Sequence, residues 1–122
     1  MTKTMGASSN FQETLRTAII DNATAGDNVL IAAPASNSYI AIDFLQVIPT
    51  TAVTVQFWSN PAGTKLTGPY PLSGQQVVTD ENVFQNQHGI MECKVGQSFV
   101  MNLGSAVQCG GFIRYRIVGG DN

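Results

Sequence analysis

The chain has 122 residues, enough for a single domain with a core of its own, and carries a formal net charge of -2. Only 11% of its residues are charged, against about 25% in an ordinary soluble domain. Its six Lys and Arg residues are scattered, which excludes the basic patch that nucleic-acid binding requires, and no stretch approaches the roughly 18 apolar residues of a membrane span.

The chain divides into residues 1–12, a small, polar, flexible arm, and residues 13–122, a β-sandwich domain. The opening MTKTMGASSNF has no apolar core of a secretory signal, which points to synthesis and first folding in a cytoplasm. The segment Phe11–Ile20, FQETLRTAII, leaves two readings open. Phe11, Leu15, Ala18 and Ile19 fall at helical spacing, and Asn10 with Glu13 matches a capping box. The β-branched Thr17, Ile19 and Ile20 favour a strand with Leu15, Thr17 and Ile19 on one face.

From there the signals are β. Asp27–Pro34 reads as a strand after the Ala25-Gly26-Asp27 turn. In Tyr39–Pro49 the apolar phase runs Ile40, Ile42, Phe44 and then shifts to Leu45 and Val47. A phase change inside one strand marks a bulge or bend, because one extra residue exchanges the faces. Val53, Val55 and Phe57 point one way and Thr54, Gln56 and Trp58 the other, ahead of the Asn60-Pro61-Ala62-Gly63 turn. Short strands follow around Lys65–Leu72, broken by Pro69 and Pro71, and at Gln75–Thr79. Asp80–Gly89 reads as a polar loop anchored by Val83 and Phe84. Ile90–Lys94 is a short strand, and Gln97–Leu103 presents Phe99, Met101 and Leu103 on one face. Gly110–Val118 sets Ile113, Tyr115 and Ile117 opposite Arg114 and Arg116. About eight strands at this spacing predict an all-β, antiparallel, jelly-roll-like β-sandwich.

No catalytic constellation stands out. His88 is a lone loop histidine without a nucleophile or orienting partner in the sequence pattern. Asp80-Glu81, the one acidic pair, falls in the predicted loop, whereas general acid and base carboxylates converge from separate places. No dense acidic loop, His/Cys cluster or phosphate loop is present, so no metal or cofactor is expected. If the last two long strands form a hairpin, Cys93 and Cys109 lie too far apart for a disulfide and act as small buried hydrophobes.

Four residues are candidates for a partner interface. Phe11 is the large apolar residue of the arm. Asp43 sits inside an apolar strand, either as its outward face or as a polar contact at a subunit junction. Trp58 alternates out of phase with the core positions and fits an interface, the core of a second face, or a sugar platform. Tyr70 joins Trp58 in the last of these readings. A neutral β surface also needs its strand edges covered, which favours a symmetric oligomer or a partner's surface.

The segment AGDNVLIAAPASNSYIAIDFLQVIPTTAVTVQFWSNPAGTKLTGPYPLS, with the final GGFIRYRIVGG, resembles small jelly-roll capsid decoration, or cement, proteins of tailed phages. The likeness covers Ala25–Gly120 and lies in strand layout and turn order. It implies a non-enzymatic virion protein on the capsid exterior, made in the host bacterial cytoplasm. Such a protein self-associates, often as a homotrimer, and bridges major capsid protein subunits. A glycan- or receptor-binding module of a tail fibre or spike is the alternative, and a head-tail connector or baseplate part a third reading.

Overall fold

Alternating apolar and polar residues, rich in Val, Ile and Phe, build strands whose inner side chains meet in one core. The computed structural model describes residues 14–119. Within them lie β1 (Arg16–Asn22), β2 (Gly26–Ile31), β3 (Ser38–Pro49), β4 (Val53–Ser59), β5 (Thr64–Lys65), β6 (Tyr70–Leu72), β7 (Val78–Glu81), β8 (Met91–Glu92), β9 (Phe99–Leu103) and β10 (Cys109–Gly119). All ladders are antiparallel.

One five-stranded sheet has the order β1-β10-β3-β7, with β8 also on β3; the other runs β2-β9-β4-β5, with β6 also on β4. The pairs β5/β6 and β7/β8 each act as one interrupted strand. Eight strand positions result, ordered 1-8-3-6 in the first sheet and 2-7-4-5 in the second. This is the strand order of a jelly roll, and the molecule is an all-β sandwich. Pro69 lies in the interruption between β5 and β6 and cannot donate to a ladder, whereas Pro71 sits within β6 opposite Thr54.

The core lies between the sheets. Ile20, Ile40, Ile42, Leu45, Val47 and Ile113 come from the first sheet, and Val55, Phe57, Phe99, Met101 and Leu103 from the second. The Phe57 and Phe99 rings stack at 5.4 Å, and Tyr70 meets Phe57 edge-on at 6.3 Å. Fully burying each such side chain contributes roughly 1.5–3 kcal/mol. Gly111 has φ 142°, and a Cβ there would overlap the Gln46 carbonyl oxygen of β3, so close approach of β10 and β3 requires glycine.

Of the two readings of Phe11–Ile20, the strand is the one seen within the described residues: β1 starts at Arg16, Leu15, Thr17 and Ile19 share one face as expected, that face is the outer one, and Ala18 and Ile20 turn to the core. Several expectations are corrected. Asp80 and Glu81 lie on β7, paired with Leu45 and Phe44, rather than in a loop. Val83 and Phe84 do not anchor the loop: they are 70% and 91% exposed. The two long C-terminal strands are not a hairpin, since β9 and β10 belong to different sheets.

Cys93 and Cys109 are buried free thiols. Burial pushes the Cys93 thiol up to about 12, opposed by a hydrogen bond with Ser59 and helped by the nearby Glu92 carboxylate; burial also raises Cys109.

Gly111→Ala is expected to destabilise the fold by more than about 2 kcal/mol. Gly110→Ala, whose new Cβ would meet only the Ile20 carbonyl oxygen at 4.0 Å, is the tolerated control, with urea denaturation as the measurement. The unfolded Cys93 thiol ionises near 9.0 and the folded one near 12. The unfolded chain therefore loses its proton first, and this contribution to stability falls as pH rises through that window. Denaturation midpoints measured from pH 8 upward should fall, and Cys93→Ala should make the decline shallower.

Candidate functional site

The site begins at the bulge that the β3 phase change predicts. Phe44 pairs with Arg114 and Ile42 with Tyr115, which leaves Asp43 without a partner on β10. The extra residue turns both Asp43 and Phe44 away from the core, while Ile42 and Leu45 stay in it.

The opposite edge of β3 is interrupted at the same point. β7 covers Phe44–Val47 and β8 covers Ala41–Ile42, and the loop 82–90 between them leaves and returns at the bulge. The Asn82 amide donates to the Asp43 carbonyl and the Ile90 amide to the Ile42 carbonyl, both at 2.7 Å. Gly89 makes the return possible: it has φ 70°, and a Cβ would collide with the Ile42 carbonyl oxygen.

Arg116 of β10 closes this arrangement. Its Nε donates to Asp43 Oδ2 at 2.5 Å and its Nη2 to Asp43 Oδ1 at 3.0 Å. Nη2 also lies 3.2 Å from the Asn86 and Gln87 carbonyl oxygens. Asn82 adds a bond to Asp43 Oδ1 at 2.9 Å and another to the Asn86 carbonyl. The Arg116 side chain is only 5% exposed. A guanidinium removed from water in this way requires a paired carboxylate and filled donors, and the fork geometry supplies both. Both Asp43 oxygens are engaged, so this carboxylate anchors a loop. At the far end of the loop His88 Nδ1 lies 2.5 Å from Glu92 Oε1, and its ring stacks on Tyr39.

Beside this anchor, a cleft of about 520 Å³ opens on the outer face of the first sheet. Leu15, Phe44, Phe112, Glu81, Gln85 and Arg114 are among its lining residues. Phe44 and Phe112 stack at 5.2 Å, and the Arg114 guanidinium lies 6.0 Å from the Phe112 ring. Among the described residues, exposed large apolar side chains include Leu15, which lines the cleft, Ile19, which pairs with the lining residue Phe112, and Val83 and Phe84, which lie in the chain between the lining residues Asn82 and Gln85.

The interface candidates are scattered. Phe11, with the arm of residues 1–12, lies outside the described residues. Asp43 is on the outer face, tied to Arg116 within the same chain. Trp58 lies on the outer face of the other sheet, level with Val100 and Lys65. The Lys65 ammonium sits 5.6 Å from the Trp58 ring centroid, and the buried indole Nε1 has no hydrogen-bond partner among the described residues. Tyr70 packs against the core beside Phe57. The sequence reading missed Arg116, Phe112 and Phe84. The available signal was Arg114 and Arg116 on alternate outward positions of the last strand, directly across from a predicted bulge.

Among the described residues, no group of three or more His, Cys, Asp or Glu is placed to hold a metal, and no helix is long and apolar enough to cross a membrane. No family model, curated protein or solved structure matches the chain.

Asp43→Ala strands the buried Arg116 charge and is expected to cost about 3–5 kcal/mol, whereas Asp43→Ala combined with Arg116→Met should recover most of that loss. Equilibrium denaturation of the single and double variants measures the coupling.

Proposed function

We infer that this chain is a non-enzymatic virion structural protein, a capsid decoration or cement protein that binds the outer capsid surface and bridges major capsid subunits. The observation that carries the reading is a jelly-roll sandwich built from a chain of which only 11% of the residues are charged. Fold alone does not set function. The supporting argument is physical: neutral β surfaces lack the charge that keeps monomers apart, and their sheet edges gain from being covered. Bridging stabilises a shell by removing apolar area from water on two subunits at once, at roughly 25 cal/mol per Å². Contacts of this kind also hold when salt rises, because screening acts on charge. The resemblance of Ala25–Gly120 to phage cement proteins supplies the partner, the major capsid protein, and the place, the capsid exterior.

The glycan-binding alternative rests on Trp58 and Tyr70. Lys65 over the Trp58 ring and the packing of Tyr70 against Phe57 favour the structural role.

Phage particles assembled with and without the protein provide the test. Added density on the shell exterior in cryo-images and a higher temperature of capsid rupture are expected. Unchanged density and unchanged rupture temperature would sink the reading. Binding on a glycan array that disappears in Trp58→Ala would favour the alternative.

A further inference from the structure

The outer face of the first sheet carries a row of side chains at one level, set by the strand register. Arg114 of β10 pairs with Phe44 of β3, which pairs with Glu81 of β7. All three line the cleft. The row therefore reads cation, aromatic ring, anion, with its charged ends two strand spacings apart, roughly 10 Å. Both charged residues are exposed, and among the described residues neither side-chain charge has a hydrogen-bond or ion-pair partner. The buried Arg116 of the same strand is, by contrast, satisfied internally by Asp43.

Such a row is complementary to itself reversed. A two-fold axis running parallel to β3, above Phe44, sets Arg114 of one copy over Glu81 of a second, and Glu81 over Arg114. An axis across the strands would instead set Arg114 on Arg114, which like charge opposes. The apolar groups obey the same operation. Val83 and Phe84 rise from the loop on the β7 side, while Leu15 leads into β1 on the opposite side of the sheet. Leu15 adjoins Arg16, which pairs with Tyr115, itself paired with Ile42. It thus lies close to the level of the bulge, from which the loop leaves. Reversal brings the Val83–Phe84 knob of one copy onto the Leu15 wall of the other's cleft. A knob and a hollow on one face, exchanged by one rotation, define an isologous interface.

We propose that two copies of this chain pack face to face through the outer surface of the β1-β10-β3-β7 sheet. Each Phe84 enters the partner copy's cleft, and two reciprocal Arg114–Glu81 pairs fix the register. The capsid reading plays no part in this inference. A two-fold pair nevertheless carries every capsid-facing surface twice, as bridging requires. It differs from the threefold association implied by the resemblance, and mass separates the two.

Sedimentation equilibrium of the full chain across a concentration series tests the proposal. The unaltered protein should be a dimer. Arg114→Glu and Glu81→Arg each create two like-charge pairs across the axis and should weaken association at least about a hundredfold. The combined variant, with the charges exchanged, should return to within about tenfold of the original. Phe84→Ser, at a position 91% exposed, should weaken the dimer and leave thermal unfolding of the monomer unchanged. A monomer at all concentrations, an odd-numbered assembly, or a dimer indifferent to the single charge reversals would overturn the proposal. None of these outcomes bears on binding to capsids, which the particle experiment measures separately.

Discussion

Arg116 is a full positive charge held almost entirely out of water, and the outer face of the first sheet is organised around that fact. An isolated buried guanidinium would cost several kcal/mol, so its position is tenable only if a carboxylate lies in fork-to-fork geometry and its other donors find acceptors. Asp43 supplies the carboxylate, and the Asn86 and Gln87 carbonyls accept further bonds. The carboxylate is in place because β3 carries one residue more than β10 at that point. The acceptors are in place because the loop 82–90 leaves the sheet at the same bulge. Bulge, ion pair and loop are thus one device, and each makes the other two stable.

The cleft follows from this device. With Arg116 tied inward, Arg114 two residues earlier is the cation left at the surface of β10, above an aromatic pair. The bulge that exposes Asp43 also turns Phe44 outward, onto Phe112. The loop that covers Arg116 raises Val83 and Phe84 into solvent. Scarcity of charge gives each remaining exposed charge unusual weight in deciding how such a face meets another surface. The proposed structural role and the proposed pairing of copies both draw on that property, one through the whole surface and the other through a single row.

Much of the fold is legible in the residues because a sheet's side-chain period is two. Val53, Val55 and Phe57 show their buried face directly, as do Phe99, Met101 and Leu103. The shift from Ile42 to Leu45 locates the bulge to within a residue. The same logic groups Leu15, Thr17 and Ile19 on one face but leaves open which face is the inner one, because alternation defines two faces without naming either. In β1 the inner positions hold Ala18 and Ile20, and of the outward set Leu15, just before the strand, lines the cleft. Asp80 and Glu81 read as loop because the strand they extend is short and lies at a sheet edge, where polar residues are tolerated. Phe84 reads as an anchor because a large aromatic residue in a polar stretch is normally drawn inward; here the loop is held by hydrogen bonds and the ring is left out. Arg116 escapes notice because an arginine at an outward position has water as its default partner.

By itself the sequence determined an all-β sandwich of neutral surface, the strands that fill its core, and the residue at which β3 breaks step. These are local properties, written in periodicity, turn residues and composition. Tertiary structure alone decided that Arg116 would be buried, that Asp43 would receive it, and that Arg114, Phe44 and Glu81 would stand in one row. Those residues come from three strands far apart in the chain, and their meeting depends on strand order and register. Register is set by the summed packing of every inward side chain, so no single segment carries the information.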